Sequence, residues 1–103
     1  MKQLENRVAV VTGASKGIGK AIACAFAAAG ATVMLAARNG AELEAVAGEI
    51  KGGGGAAFPV STDISVETDI VNLFKATMER HGRLDILVNN AGMTLNMPTD
   101  QIP

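Results

Sequence analysis

The stretch Val8-Ala-Val-Val-Thr-Gly-Ala-Ser-Lys-Gly-Ile-Gly-Lys-Ala-Ile-Ala-Cys-Ala-Phe26 decides the fold of this chain. Its first four residues are a short apolar run that predicts a buried strand ending at Thr12-Gly13. Three glycines follow within seven residues, and apolar side chains then recur at helical spacing as far as Gly30, which is placed to end a helix. The spacing predicts that this helix buries one face, formed by Ile18, Ala21, Ile22, Ala25, Phe26 and Ala29.

Three further apolar runs predict strands over residues 32–37, 56–61 and 84–89. The order is therefore β-α-β-α-β-α-β, in strands that are apolar on both faces. Such strands belong to a parallel sheet covered by helices on both sides, and right-handed crossovers favour the doubly wound arrangement. We expect one α/β domain over residues 1–103, with a doubly wound parallel sheet.

Two more helices are predicted between these strands. In the first, Asn39 and Glu42 resemble a capping box, and a run of glycines at 52–55 ends the helix in a flexible loop. In the second, Ser65 is the predicted cap and Gly82 ends the helix. The predicted buried faces are Leu43, Val46, Ala47 and Ile50 in the first, and Ile70, Leu73, Phe74 and Thr77 in the second.

Composition narrows the classes of function. The chain is 49% hydrophobic with a net charge of −1, which argues against a nucleic-acid-binding protein, and its apolar runs are too short to cross a membrane. A single cysteine, Cys24, excludes an internal disulfide, so we expect a cytoplasmic protein in which this thiol packs as a small apolar group. The one histidine, His81, lies in a polar turn, where we expect it to be solvated. No metal site is expected.

The glycine-rich turn lies where doubly wound sheets bind phosphates, at the end of a strand and the start of a helix. Gly13 permits a tight turn, and Gly17 and Gly19 allow the backbone to approach a phosphate without a Cβ in between. A P-loop requires the pattern G-x-x-x-x-G-K-[ST]. The chain has Ala14 in place of the first glycine and Ala21 in place of the hydroxyl residue, so the P-loop is rejected.

Three segments in the right order resemble the short-chain dehydrogenase/reductase family, in its classical subfamily. They are T-G-A-S-K-G-I-G at 12–19, Asp63-Ile64 after the third strand, and N-N-A-G at 89–92 after the fourth. The resemblance covers essentially the whole chain, as the N-terminal, cofactor-binding half of that family's Rossmann fold. It implies hydride transfer between a nicotinamide cofactor and a small carbonyl or alcohol substrate.

The resemblance also implies roles for individual residues. The pyrophosphate would be held by Gly13, Gly17, Gly19 and the backbone at Ser15 and Ile18. The adenine amino group would be bound by Asp63, with backbone contacts from Ile64. The adenosine ribose would be flanked by Asn90, Ala91 and Gly92. Thr12 would tie the loop to the fourth strand, and Asn89 is interpreted as a structural hydrogen-bonding residue.

The choice between NAD and NADP depends on the end of the second strand. NAD sites place an acidic residue there, about 20 residues beyond the glycines, to bind the ribose 2′-hydroxyl. Here Arg38 occupies that position, and a guanidinium can pair with a 2′-phosphate. Lys16 adds a second positive charge. We therefore expect NADP, with NAD less favoured.

The family's catalytic Ser-Tyr-Lys set has no counterpart, since the chain contains no tyrosine. No catalytic residue is assigned, and residues 1–103 alone are expected to be inactive.

Two interpretations of the function remain open: the cofactor-binding half of an NADP-dependent oxidoreductase, or a truncated or engineered dinucleotide-binding module without turnover. An apolar fourth strand at the sheet edge predicts a missing half that covers it, a partner copy that pairs edge to edge, or marginal stability. For residues 1–103 alone we expect a homo-oligomer, self-association or aggregation through that edge. No nucleic acid and no membrane is an expected partner.

Overall fold

The computed structural model describes residues 3–90. Four parallel strands form one sheet in the order β3-β2-β1-β4, and a helix connects each strand to the next. This arrangement confirms the predicted element order and the parallel α/β sheet. The elements are β1 Val8–Thr12, α1 Gly17–Ala28, β2 Thr32–Ala37, α2 Gly40–Gly52, β3 Ala56–Ser61, α3 Glu67–His81 and β4 Ile86–Val88.

The two faces of the sheet have separate cores, because successive residues of a strand point to opposite sides. In β2, Val33 and Leu35 pack in one cluster with α1 and α2, whereas Met34 and Ala36 pack in another with Leu73 of α3. All four side chains are almost completely buried. Coverage on both sides explains why the strands are apolar throughout rather than alternating.

The predicted buried face of α1 is only partly confirmed: Ile22 and Phe26 are half-buried and pack against the core, whereas other predicted residues do not. Ile18 is 70% exposed, Ala21 and Ala25 are also exposed, and the residues that α1 buries are Gly19, Ala23 and Ala27. Almost every residue of α1 is apolar, and Lys20 is its one charged side chain. The spacing of apolar residues therefore could not distinguish the buried face of the helix from the exposed one. Size decides the orientation instead, since the smallest side chains allow the helix to lie closest to the strands.

The helix ends are partly as predicted. The Glu42 N–H donates to Asn39 Oδ1 at 3.1 Å, which confirms the Asn39 cap of α2, and Gly82 ends α3 in the left-handed conformation with φ 72°. Ser65, however, does not cap α3. The helix begins at Glu67 with Val66 at the N-cap position, while Ser65 lies in the preceding turn.

Strand β4 is shorter than predicted, because a charged pair occupies its beginning. The Asp85 N–H donates to the Val8 carbonyl at 2.9 Å, and the Val8 N–H donates to the Asp85 carboxylate at 2.8 Å. Arg83 also donates to that carboxylate at 2.7 and 2.9 Å. The hydrogen bonds from Arg83, and then that from the Val8 N–H, lower the pKa of Asp85. Asp85 thus fixes where β4 joins β1, and the predicted self-association through the β4 edge stays a prediction.

The expectation of a solvated His81 is wrong. Its ring packs against Phe58 of β3 with centroids 5.2 Å apart, and its Nε2 is buried and has no hydrogen-bond partner in the described part of the chain. Two cations lie over the same Phe58 ring: Arg80 at 4.5 Å and Lys51 at 5.9 Å. Burial, and then the charge of Arg80, lower the pKa of His81 below its ordinary value of 6.5.

This environment predicts that His81 weakens the fold in mild acid. The unfolded chain takes up a proton near pH 6.5, whereas the folded chain resists protonation until a lower pH, so stability falls as the pH drops below that value. We expect His81→Phe, which keeps an aromatic ring against Phe58, to remove this component. Thermal unfolding of both proteins from pH 7.5 to 5 measures it; an equal loss of stability in the two would contradict the assignment.

Candidate functional site

A cleft with a volume of about 990 Å³ lies at the carboxyl ends of the strands. In open parallel sheets this edge is where ligands bind, close to the point at which the strand order reverses. Here the order reverses between β1 and β4, since β2 and β3 extend the sheet on the other side of β1. The cleft is lined by Gly13, Ser15, Lys16, Ala36, Ala37, Arg38, Asn39, Glu42, Thr62, Asp63, Ile64, Ser65 and Asn90.

Thr12 joins the ends of β1 and β4 at the floor of this edge. Its buried hydroxyl lies 3.2 Å from the Val88 carbonyl oxygen and 3.3 Å from Asn89 Oδ1, to either of which it can donate, and it accepts from the Asn90 N–H at 2.9 Å. The predicted role of Thr12, tying the glycine loop to the fourth strand, is therefore confirmed. The same contacts hold Asn90 at the cleft wall.

Three glycines shape the loop for different physical reasons. Gly13 and Gly17 have φ values of 62° and 63°, a conformation that glycine adopts without a Cβ penalty. A Cβ on Gly17 would meet open space, so the backbone there is accessible to a ligand. A Cβ on Gly19 would overlap the Gly13 carbonyl oxygen and would lie 2.8 Å from Asn90 Nδ2. Gly19 thus permits close packing of the helix on the loop, and its contact with a phosphate stays a prediction.

Helix α1 begins without a protein anion. Lys16 is its N-cap residue, and in residues 3–90 no side chain caps the helix and its first turn has no acidic residue. By contrast, α2 has the Asn39 cap and α3 has two acidic residues in its first turn. The first N–H groups of a helix carry partial positive charge and attract anions. At α1 no side chain of residues 3–90 caps these groups, so a ligand or solvent can accept from them.

Arg38 follows β2 and carries an exposed guanidinium at the cleft. Its backbone is fixed to the neighbouring strand, because the Ser61 hydroxyl donates to the Arg38 carbonyl at 3.0 Å. Exposed Lys16 lies on the same cleft, as do the acidic residues Glu42 and Asp63. The cleft therefore offers cations from the ends of β1 and β2, and carboxylates from α2 and the turn after β3.

Asp63 is held in a tight turn at the end of β3. Its Oδ1 accepts from the Ser65 N–H at 2.9 Å and from the Ser65 hydroxyl at 2.6 Å. The Asp63 N–H donates to Asp69 Oδ2 at 2.9 Å. The hydrogen bond from the Ser65 hydroxyl, then that from its N–H, and also the charge of Arg38 lower the pKa of Asp63. The carboxylate is thus kept ionised and able to accept hydrogen bonds.

The structure brings together seven of the twelve residues predicted for the cofactor site. Gly13, Ser15, Lys16, Arg38, Asp63, Ile64 and Asn90 all line the cleft. Gly17, Ile18 and Gly19 lie in the first turn of α1 and do not line it. The other two, Ala91 and Gly92, lie outside the described residues. That these residues bind a cofactor stays a prediction.

Six lining residues were missed by the motifs: Ala36, Ala37, Asn39, Glu42, Thr62 and Ser65. One signal could have found half of them. Each of Ala37, Asn39 and Thr62 lies at or just beyond the carboxyl end of a predicted strand, which is the edge that parallel sheets use for ligands. Glu42 needs the geometry of α2, since it reaches the cleft from the first turn of that helix.

A second depression of about 290 Å³ lies between α1 and α2. Its lining residues are Cys24, Ala27, Ala28, Glu49, Ile50, Gly53 and Gly55. Glu49 is its one charged group and is paired with Lys20 at 3.1 Å, so this depression does not attract an anion. Among residues 3–90 there is no cluster of three or more His, Cys, Asp or Glu side chains that could hold a metal ion. No helix in this part of the chain is long and apolar enough to cross a bilayer.

Sequence comparison finds the same family that the three motifs resemble. The family model for short chain dehydrogenases matches residues 7–103. A 3-oxoacyl-[acyl-carrier-protein] reductase of Synechocystis is 43% identical over 95 residues, which are 91% of this chain and 38% of that protein. The short-chain dehydrogenase/reductase homolog YusS of Bacillus subtilis is 39% identical over 98 residues, covering 94% of this chain and 90% of that protein.

Comparison with solved structures finds the same family. A metagenomic short-chain oxidoreductase, solved in complex with NADP, superposes with a TM-score of 0.84 at 42% identity. The match covers 97% of this chain and 46% of that one. This chain therefore spans less than half of that solved chain and of the Synechocystis reductase, but nearly the whole length of the Bacillus protein.

The contact at Gly19 can be tested by adding a methyl group. We expect Gly19→Ala to lower the free energy of unfolding by about 1–3 kcal/mol, the usual cost of overpacking, because the Gly13 backbone cannot move freely. Gly48→Ala is the matched control. It lies in α2 with open space around its Cβ position, so alanine should stabilise by about 0.5–1 kcal/mol. Urea unfolding followed by circular dichroism measures both; a stabilising Gly19→Ala would refute the close contact.

Proposed function

Because the chain belongs to the short-chain dehydrogenase family, we propose that its cleft binds NADP(H) for hydride transfer to or from a small carbonyl or alcohol substrate. One observation carries the choice of cofactor: Arg38 and Lys16 line the same cleft as Gly13 and Ser15 of the glycine loop. An acidic residue after β2 would favour the ribose 2′-hydroxyl of NAD, whereas a guanidinium favours a 2′-phosphate. The metagenomic relative in complex with NADP supports the same choice.

The loop fits a pyrophosphate in two respects. The backbone at Gly17 has open space where a side chain would stand, and α1 begins with no side-chain cap among the described residues. An anion at this point would accept from backbone N–H groups that no side chain of residues 3–90 caps. Gly13, Ser15, Gly17 and Ile18 would provide this contact, and Gly19 would keep α1 close to the loop.

The remaining residues would hold the adenosine end. Arg38, with Lys16 nearby, would pair with the 2′-phosphate, Asp63 and Ile64 would contact the adenine, and Asn90 would flank the ribose. When bound, the nicotinamide of the cofactor supplies or accepts the hydride. The residues of this chain named above would bind and orient the cofactor, and none of them is assigned as a proton donor for the substrate. We also propose that the protein acts in the cytoplasm.

A second candidate function is cofactor binding without turnover. It is favoured by the absence of tyrosine from residues 1–103. Both candidates use the same cleft and the same cofactor. Oxidation of NADPH in the presence of a panel of aldehydes and ketones distinguishes them, since the first requires turnover by the complete protein and the second shows none.

The role of Arg38 leads to a test of cofactor choice. We expect Arg38→Asp to weaken NADPH binding by about 10- to 100-fold, the range for losing charge-assisted hydrogen bonds, and to leave NADH binding unchanged or improved. Lys75→Glu is the control, because exposed Lys75 lies on α3 away from the cleft and the substitution changes the charge equally. Fluorescence titration with each cofactor gives the affinities. Equal NADPH affinity in Arg38→Asp and the unsubstituted protein would overturn the proposal.

A further inference from the structure

The turn after β3 is built so that one oxygen of Asp63 is used internally and the other is not. Both hydrogen bonds from Ser65, at 2.9 and 2.6 Å, go to Oδ1. Within residues 3–90, Oδ2 accepts no hydrogen bond and belongs to a side chain that lines the cleft. Ser65 thus fixes the rotation of the carboxylate and leaves one acceptor for a ligand.

The backbone of Asp63 is held from two sides. The residue before it, Thr62, is buried and donates its N–H to the Ala37 carbonyl at 2.8 Å. The N–H of Asp63 itself donates to Asp69 Oδ2 at 2.9 Å, which ties it to the first turn of α3. Asp69 therefore reaches out of its helix to a residue six positions earlier. This anchor sets where the Asp63 side chain stands relative to β2 and Arg38.

These contacts matter chemically because a fixed carboxylate distinguishes a purine with a 6-amino group from one with a 6-oxo group. An ionised carboxylate only accepts hydrogen bonds, so it pairs with the 6-amino group of adenine and repels the 6-oxo group of hypoxanthine. Hydrogen bonds from Ser65 and the charge of Arg38 keep the carboxylate ionised, since they lower the pKa of Asp63. A carboxylate that rotates freely could turn away from the wrong base, and discrimination would be lost.

We propose that Ser65 and Asp69 are positioning residues which, by holding Asp63, make the cleft selective for a 6-aminopurine dinucleotide. The proposal rests on the proposed function, because it concerns how the same cleft recognises the base of its cofactor. Neither residue needs to touch the base. Ser65 acts on the carboxylate of Asp63, and Asp69 acts on its backbone N–H.

The test compares NADPH with its hypoxanthine analogue, reduced nicotinamide hypoxanthine dinucleotide phosphate. Both carry the same fluorescent nicotinamide, and the chain has no tryptophan or tyrosine to interfere. We expect the unsubstituted protein to favour NADPH by about 10- to 100-fold, the range for a hydrogen bond to a charged group. Ser65→Ala and Asp69→Ala should each reduce this ratio several-fold, and Ser65→Thr, which keeps the hydroxyl, should restore it.

The ratio of the two affinities is informative because general damage to the turn would weaken both nucleotides alike. Thr68→Ala is the matched control, since Thr68 is exposed in the same turn of α3 and makes no side-chain hydrogen bond in the described chain. If Asp69→Ala does not fold, Asp69→Asn is used instead, and we expect a smaller reduction of the affinity ratio.

The outcomes separate the two proposals. If the unsubstituted protein binds neither nucleotide, the proposed function fails, and the positioning role fails with it. If it binds NADPH tightly and Ser65→Ala and Asp69→Ala keep the original preference, or lose both nucleotides in equal proportion, the positioning role is overturned while the proposed function stands. A preference that falls in both variants and returns in Ser65→Thr supports the positioning role.

Discussion

The contact between Gly19 and the Gly13 carbonyl is the constraint on which the rest of this structure depends. With no room for a Cβ, the first turn of α1 lies directly on the loop that leaves β1. The following turns must then also present small side chains to the sheet, and they do so with Ala23 and Ala27. As a result, the N-terminal N–H groups of α1 lie next to the carboxyl ends of the strands, where an anion would gain most from them.

The same edge collects polar groups from every strand. Thr12 joins the end of β1 to the end of β4, Ser61 fixes the Arg38 backbone, and the turn at Asp63 is anchored to α3 by Asp69. Each contact is local, but together they place residues far apart in sequence around one cleft. A parallel sheet makes this convergence inevitable, since all its strands end on the same side. Membership of the short-chain dehydrogenase family gives this cleft its functional interpretation.

The sequence predicted the four strands and the doubly wound order well, because buried parallel strands are short, apolar and separated by clear helix ends such as Asn39 and Gly82. It located Ile22 and Phe26 on the buried face of α1 but missed Ala23, because nearly every residue there is apolar and periodicity could not distinguish Ala23 from Ala25. It also failed for Ser65 and His81, whose partners Asp63 and Phe58 are defined by the geometry of a turn and by tertiary packing. Motifs located seven lining residues of the cleft, whereas Glu42 and Ser65 required the structure.

The central claim is that the glycine loop, Arg38 and the turn at Asp63 form one dinucleotide site. Titration of isotopically labelled protein with NADP⁺, followed by amide chemical shifts, tests it most directly. We expect the largest changes at Gly13, Gly17, Arg38 and Asp63, with small changes in the depression between α1 and α2. Changes centred on Cys24 and Ile50, or no changes at all at saturating NADP⁺, would contradict it.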